Sequence, residues 1–447
     1  MSKNKRIAIL GAAESGVGAA ILAQKQGYDV FVSDLSRISD KYKTHLTERN
    51  IQFEEGRHTD NLILNADEII KSPGIPDKAE VIKKIKSANI NIVSEIEFAS
   101  RFTNAKMIAI TGTNGKSTTT LLTHHILEKA GVSVGLAGNI GKSFAWQVAE
   151  ETFDHYVLEL SSFQLDDMYT FKADIAVLLN ITPDHLDRYE YSIQNYIDSK
   201  FRIIQNQTAE DAFIYCFDDA VVKTEVLKRN PLATCYPFSI KQDEGMSAYV
   251  NDNNLYLNIH NNLFTMSIFE LALQGKHNLY NSMAAGVAAR ILDIRKESIR
   301  ESFADFRNAE HRMEFVNTVH GIDFINDSKA TNVNSAWFAL ESMQKPVVWI
   351  LGGVDKGNEY EMLNDLVKEK VKAIVCLGKD NKKIHEAFGG IVSDITDTLS
   401  ASEAVSVAYQ KGKKGDVVLL SPYYASFDLF KNYEDRGRQF KAAVKAL

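Results

Sequence analysis

Ile110-Thr-Gly-Thr-Asn-Gly-Lys-Ser-Thr118 is the stretch that decides the fold. It joins an apolar run, Met107-Ile-Ala-Ile110, to a helical pattern from Thr118 onward. Gly112 and Gly115 let the backbone approach phosphate closely, and successive N–H groups at a helix start favour an anion. In such a loop Lys116 reaches the β- and γ-phosphates, and the Ser117 hydroxyl suits magnesium. The usual loop has a glycine five residues before its second glycine. Here that position is Ile110, so the loop is a shortened variant with Gly112 three residues before Gly115. An incidental Gly-Lys-Ser turn would not need a strand, a loop and a helix in this order.

On both sides of this loop the chain alternates strands and helices. Arg6-Ile-Ala-Ile-Leu10, a glycine-containing turn, an alanine-rich helix and Tyr28-Asp-Val-Phe-Val-Ser33 form a βαβ start. Tyr156-Val-Leu-Glu-Leu160 and Ile175-Ala-Val-Leu-Leu179 have the continuous apolar character of buried parallel strands. Between Ser239 and Gln274 the runs alternate and are broken by Asn and Asp, so antiparallel hairpins are expected, followed by a helix from Asn278 to Leu292. A third segment starts near Ala309. It has a hairpin from Phe315 to Ile325 and strands at Pro346–Leu351, Val371–Leu377 and Asp416–Leu420.

Composition agrees with a globular enzyme. The 447 residues carry a net charge of −7 and are 45% hydrophobic and 24% charged, which excludes a disordered chain and argues against broad binding to nucleic acid or anionic membrane. Three cysteines, Cys216, Cys235 and Cys376, are too few and too scattered for a disulfide framework, so a reducing cytoplasm is expected. No apolar run reaches the roughly 20 residues of a membrane span.

Several strand ends carry reactive groups. Glu159 is followed by Ser161, Ser162 and Gln164, and Asn180-Ile-Thr-Pro-Asp-His185 ends the next apolar run. If these strands are parallel neighbours, Glu159 and His185 leave the same edge as the phosphate loop, where ligands bind. A carboxylate with phosphate oxygens suits Mg²⁺, whereas a lone histidine is more often structural, and Asp184 equally suits a helix cap. Lys200 on its own reads as a solvated or paired lysine. Asn278 and Asn281 share a helix face and suit one ligand, or merely a helix start. In the third segment, Asp327–Thr331, Gly352–Gly357 and Ser421–Ser426 follow apolar runs and form a possible second anion site with Lys329, Arg312 and Lys356.

The first loop, Gly11-Ala-Ala-Glu-Ser-Gly-Val-Gly18, has the wrong spacing for a dinucleotide fingerprint, although Asp34 stands about 20 residues on. Three readings stay open there: a nicotinamide oxidoreductase, a pocket for another nucleotide with Ser15 near a diphosphate and Asp34 near base or ribose, and a packing turn. A non-catalytic nucleotide-binding module is a further alternative for the whole chain.

Taken together, Thr111–Thr118, Gly138-Asn-Ile-Gly141, Glu159-Leu-Ser-Ser-Phe-Gln-Leu165, Asn180–Asp187, Gly275-Lys-His-Asn-Leu-Tyr-Asn281, Glu310-His-Arg312 and Asp327–Asn332 resemble the Mur ligase superfamily over nearly the whole chain. Ser72-Pro-Gly-Ile-Pro76 and Leu420–Gly437 are similar to the member that joins D-glutamate to UDP-N-acetylmuramoyl-L-alanine; another Mur ligase or a folylpolyglutamate synthase is the alternative. The resemblance implies an α/β protein of three domains. A Rossmann-like UDP-sugar domain would span 1–95. A central P-loop-type ATPase domain, a parallel sheet plus a small antiparallel sheet, would span 96–308. A Rossmann-like amino-acid domain would span 309–447. It also implies ATP and Mg²⁺, an acyl-phosphate intermediate in peptidoglycan precursor synthesis, and a cytoplasmic protein. Monomer is expected separately, since no coiled-coil seam is visible.

Carried over residue by residue, Ser15, Asp34, Ser72, Gly74, Asn139, Ser161 and Gln164 would meet the UDP-sugar. Gly112, Thr113, Asn114, Gly115, Lys116, Ser117, Thr118, Asn278, Asn281, Arg312 and Asp327 would meet ATP. Ser117, Glu159, His185 and, if carbamylated, Lys200 would hold magnesium, and Lys116, Glu159, His185 and Lys200 would be catalytic. Thr331, Lys356, Ser426, Phe427 and Tyr433 would frame D-glutamate. Phe427 stands where the family often has an aliphatic residue and Tyr433 where it has phenylalanine, so the amino-acid pocket is expected to differ in shape.

Overall fold

The structure, a computed structural model, describes residues 5–307, 310–331, 333–354, 360–424 and 426–447. Three sheets are present. The first contains β1 (Arg6–Leu10), β2 (Asp29–Asp34), β3 (Gln52–Glu55), β4 (Glu68–Lys71) and β5 (Asn91–Ser94) in the order β3-β2-β1-β4-β5, all parallel. Its strands are short apolar runs with helices between them, which is what buries both faces of a parallel sheet.

The second sheet holds β6 (Lys106–Thr111), β7 (Val134–Gly138), β8 (His155–Glu159), β9 (Ile175–Leu178), β10 (Ala212–Cys216) and β11 (Thr234–Phe238), followed by β12 (Ala248–Asn251), β13 (Asn254–Ile259) and β14 (Asn262–Ser267). The order is β14-β13-β12-β11-β10-β9-β6-β8-β7. The strands from β7 to β12 are parallel, and β12, β13 and β14 form the expected antiparallel meander. β10 and β11 are unanticipated. β10 is fully buried, but Ala-Phe-Ile-Tyr-Cys has no alternation to mark it, and β11 carries a proline and is half-exposed. The helix after β6 begins at Lys116, two residues before the expected start.

The third sheet contains β15 (Glu314–Val319), β16 (Ile322–Asn326), β17 (Val347–Leu351), β18 (Val371–Leu377), β19 (Ile395–Thr398) and β20 (Val417–Leu420), ordered β15-β16-β20-β17-β18-β19. Only the β15–β16 hairpin is antiparallel.

The chain divides into two compact units. One comprises Met1–Ala272 with Leu279–Phe306, and the other Leu273–Asn278 with Arg307–Leu447. The first unit therefore holds two sheets, and buried carboxylates join them. The helix Glu95–Ser100 follows β5 directly. Glu95 Oε1 accepts from Ser143 Oγ and Ala145 N, both at 2.6 Å. Glu97 accepts from the backbone N–H groups of Tyr169, Thr170 and Phe171.

Burial pushes Glu95 from 4.5 up to about 7, against its hydrogen bonds. A raised carboxyl pKa means its contribution to stability is full below about pH 4.5 and is lost as pH rises through 7. The difference in unfolding free energy between wild type and Glu95→Gln should therefore shift by on the order of 3 kcal/mol between pH 4.5 and 8, at about 1.4 kcal/mol per pH unit. Urea unfolding at the two pH values measures it; parallel profiles would assign the slope to other groups.

Candidate active site

β6 lies between β8 and β9, and the chain leaves it in opposite lateral directions, so a crevice opens at the carboxyl ends of these strands. The phosphate loop fills that edge. Gly112 and Gly115 have φ of +153° and +83°. A Cβ on Gly115 would lie 2.4 Å from Asn281 Oδ1, and one on Gly112 would lie 3.0 Å from Leu179 Cβ. Only glycine fits at both positions. Asn180 clamps the loop from the end of β9. Its Oδ1 accepts from Asn114 N at 2.8 Å and its Nδ2 donates to Asn114 O at 3.0 Å, while Thr113 N donates to its carbonyl. Thr113 Oγ1 bonds Thr182 O and the Tyr196 hydroxyl.

Lys116 and Lys200 converge on one atom. Lys116 Nζ donates to Gly112 O at 2.9 Å and Thr113 O at 2.8 Å, and Lys200 Nζ donates to Gly112 O at 2.8 Å. Lys200, in the helix Ile193–Phe201, is 1% exposed. Burial first, and then the Lys116 charge, hold its amine well below the ordinary lysine range, while Asp184, Asp166 and Glu159 pull the other way. Ser117 and Thr118 are buried at the helix start. Thr119 Oγ1 donates to Asn281 Oδ1 at 3.2 Å, which puts Asn281 against the loop. Asn278 belongs to the other unit, where its Nδ2 donates to Gln274 O.

Glu159 ends β8 and pairs in register with Ile110 of β6. Asn139 holds it twice: its N–H donates to Glu159 O and its Nδ2 to Glu159 Oε1, each at 2.8 Å. Ser161 and Gln164 close the start of the next short helix as a reciprocal cap. His185 adopts φ +52°, and its ring meets Phe163 edge-on at 5.3 Å. Arg188 lies over the Phe163 ring, 4.4 Å from its centroid, and donates to the carbonyls of Pro73, Gly74 and Ile75. The turn after β4 and the histidine loop are thus mechanically linked.

That turn borders a cavity of about 800 Å³ lined by Gly11, Asp34, Leu35, Gly74 and Lys84 among others. Asp34 Oδ2 accepts from Ala12 N and Oδ1 from Ser36 N, so the acid shapes the loop while each oxygen keeps further acceptor capacity. The Ser72 hydroxyl is buried and makes no hydrogen bond among the described residues. Ser15 is the second residue of the helix Glu14–Lys25, and Glu14 beside it pairs with Tyr42 and Lys41.

In the second unit Asp327 follows β16. Its N–H donates to Leu420 O, and its carboxylate accepts from Met313 N at 3.1 Å and Ser421 Oγ at 3.2 Å. Burial pushes it up to about 7, and the Arg312 guanidinium draws it back. Tyr433 opens the helix Tyr433–Lys445, its ring 5.4 Å from Lys329 Nζ and its carbonyl bonded by Ser328 Oγ. Thr331 is half-buried, Ser426 buried and Phe427 72% exposed. Lys356 lies outside the described residues.

The sequence reading gave no role to Asn180, Tyr196, Arg188 or Arg436. Arg436, 1% exposed, donates to Ser328 O, Tyr424 O and Gly352 O and so gathers the three strand-end loops of this unit. Flanked by Asp435 and Gly437, Arg436 carries no local sign of burial in the sequence.

Comparison with known proteins follows the same three segments. Residues 6–81 match the MurD N-terminal domain family, 110–289 the Mur ligase middle domain and 311–423 the Mur ligase glutamate ligase domain. A UDP-N-acetylmuramoylalanine–D-glutamate ligase of Bacteroides fragilis is 57% identical over 444 residues, 99% of this chain and 100% of that protein. A ligase of the same name from Salinibacter ruber is 40% identical over 454 aligned positions, covering 100% and 98%. Among solved structures, UDP-N-acetylmuramate–alanine ligase of Thermotoga maritima superposes with a TM-score of 0.64 at 17% identity, covering 99% of each chain. MurF ligase of the same organism, in complex with ADP, gives 0.62 at 14% identity, covering 99% and 98%. At these identities the structures speak to fold alone.

Proposed function

We infer that this chain, which belongs to the Mur ligase family, is an ATP-dependent ligase that joins D-glutamate to UDP-N-acetylmuramoyl-L-alanine in peptidoglycan precursor synthesis. Its curated relatives of that name match it from end to end at 57% identity, and this observation carries the reading. ATP donates its γ-phosphoryl group to the L-alanyl carboxylate, with ADP leaving. The amine of D-glutamate then attacks the acyl phosphate and expels inorganic phosphate as the amide forms.

We assign ATP to the loop Gly112–Thr118 with Asn281, and to Asn278, Arg312 and Asp327. The UDP-sugar is assigned to the cavity at Asp34 and Gly74, with Ser15, Ser72, Asn139, Ser161 and Gln164. The orphaned Ser72 hydroxyl beside that cavity supports a polar ligand there. D-Glutamate is assigned to Thr331, Lys356, Ser426, Phe427 and Tyr433, and the domains to 1–95, 96–308 and 309–447, one sheet each. The protein is proposed to act as a monomer in the cytoplasm, where ATP is available. Among the described residues no helix is long and apolar enough to cross a membrane.

Magnesium fits the donor set at the strand ends: the Ser117 hydroxyl, the Glu159 carboxylate fixed by Asn139, and His185. Bound there, it would offset phosphate charge. Lys116 and the loop amides stabilise the negative charge that builds on the transferring group. Lys200 has the property a carbamate needs. Burial, and then the Lys116 charge, hold its amine well below the ordinary lysine range, which enlarges the neutral fraction that can attack CO₂, and the product is an anion facing Lys116. Carbamylated, it would add a fourth ligand for magnesium, a third oxygen donor beside the His185 nitrogen. Activity should fall several-fold in CO₂-depleted buffer and return with bicarbonate, and Lys200→Ala should lose that response; a bicarbonate-independent wild type would remove the carbamate.

The deciding experiment is phosphate release from ATP and Mg²⁺ with UDP-N-acetylmuramoyl-L-alanine, comparing D-glutamate, L-glutamate, L-lysine, meso-diaminopimelate and no amino acid. Release with D-glutamate alone is expected. Release with another amino acid would keep the chemistry and replace the specificity.

A further inference from the structure

We propose that the second unit carries a transition-metal site, suited to zinc, formed by Cys376, His385 and Asp397. Cys376 and Asp397 are register partners on the parallel strands β18 and β19, so their side chains leave the same face of the sheet side by side. His385 comes from the helix Lys382–Phe388. One ligand atom from each residue, Sγ, a ring nitrogen and a carboxylate oxygen, lies within 4.8 Å of the other two. Around a tetrahedral zinc with bonds of about 2.0–2.3 Å such atoms stand roughly 3.5 Å apart, so small side-chain rotations complete the site.

The arrangement has the features of a supported site. His385 Nε2 is already 3.0 Å from Asp397 Oδ1. Asn381 Nδ2 holds the same carboxylate at 3.1 Å and Gly378 O at 3.0 Å, and Thr398 Oγ1 ties the Cys376 carbonyl at 2.7 Å. Such outer partners orient first ligands. Thiolate, imidazole and one carboxylate select zinc over the magnesium used at the ATP site. Cys376 is buried, while His385 and Asp397 keep 43% and 58% of their side chains exposed, which leaves an entry path and a fourth position for water. Uptake exchanges the Cys376 thiol proton for the metal, and the proton leaves to solvent.

Leu377-Gly378-Lys379 leads from Cys376 into a cavity of about 340 Å³ bordered by Gly353, Lys379, Tyr424 and Asp428. An occupied site therefore stiffens one wall of that cavity. The competing arrangement is a buried thiol that donates to Asp397, which His385 also meets.

The test is titration of the full chain with Co²⁺ in excess Mg²⁺, then displacement by Zn²⁺. One equivalent should produce a near-ultraviolet thiolate-to-cobalt band with tetrahedral visible bands. Cys376→Ala should abolish the thiolate band, and Asp397→Asn and the exposed His385→Ala should weaken binding about tenfold or more. Zinc should raise the thermal midpoint of wild type and not of His385→Ala. Absence of a thiolate band, or a band undiminished in Cys376→Ala, which would place the metal at Cys216 or Cys235, would overturn the site.

Discussion

Replacing Lys116 by alanine is expected to lower the turnover of ATP to ADP and phosphate about 10³-fold, with little change in thermal stability. The loop in which it stands supplies backbone N–H groups and a helix start, but only one mobile ammonium. That ammonium rests on the carbonyls of Gly112 and Thr113, both in its own loop. Phosphoryl transfer asks for positioning and charge stabilisation rather than covalent help. A group that meets the transferring charge is worth most in the transition state, and a 10³-fold loss corresponds to about 4 kcal/mol. The loss should fall on kcat as well as on the KM for ATP, whereas a group that merely held the nucleotide would change KM alone. Lys116→Ala should also relieve Lys200, whose amine is depressed second by the Lys116 charge. Steady-state phosphate release with saturating D-glutamate reads both constants. A kcat within tenfold of wild type would move the charge-bearing role to another residue.

Much of this arrangement was legible in the sequence because parallel sheets write themselves as short apolar runs that end in polar loops. Ile110, Glu159 and Asn180 were all placed at strand ends, and the sheet order brings those three strand ends together. What stayed illegible depended on distance in the chain. β10 and β11 lack alternation, so only their neighbours β9 and β12 define them. Asn180 looked like a strand terminator, and its clamp on Asn114 exists only once β9 lies beside β6. Lys200 gave no signal of its own; its burial and its bond to Gly112 O come from a helix packing on a loop 88 residues earlier. Arg188 and Arg436 were ordinary surface arginines by composition, and both prove to be tethers for loops.

Glu97→Ala is expected to cost about 3–5 kcal/mol, the largest stability effect in the first unit. The carboxylate is fully buried and accepts from three consecutive backbone N–H groups at 2.8–3.1 Å and from Thr170 Oγ1 at 2.5 Å. Burial alone would push its pKa up, but these donors outweigh it and hold the group below the ordinary glutamate value. Alanine strands the donors, and each buried donor left unmade costs about 1–3 kcal/mol. Water entering the gap recovers part, which gives the figure above. Glutamine should rescue in part: its oxygen can take the Oε2 position and keep Tyr169 N and Phe171 N, and its NH₂ can donate to Thr170 Oγ1, but the ion pair with Arg101 is lost. The sign with pH is opposite to that of Glu95. A depressed carboxyl pKa contributes stability above about pH 4.5 and loses it as pH falls through its folded value. The gap between wild type and Glu97→Ala should therefore be full at pH 7 and shrink toward pH 3. Urea unfolding followed by fluorescence of a variant with Trp337 and Trp349 replaced by phenylalanine, so that Trp146 alone emits, measures the first unit separately from the second. A loss below about 1 kcal/mol, or one independent of pH, would show that the joint between the first two sheets is carried by apolar packing around Phe98, Phe144 and Trp146 instead.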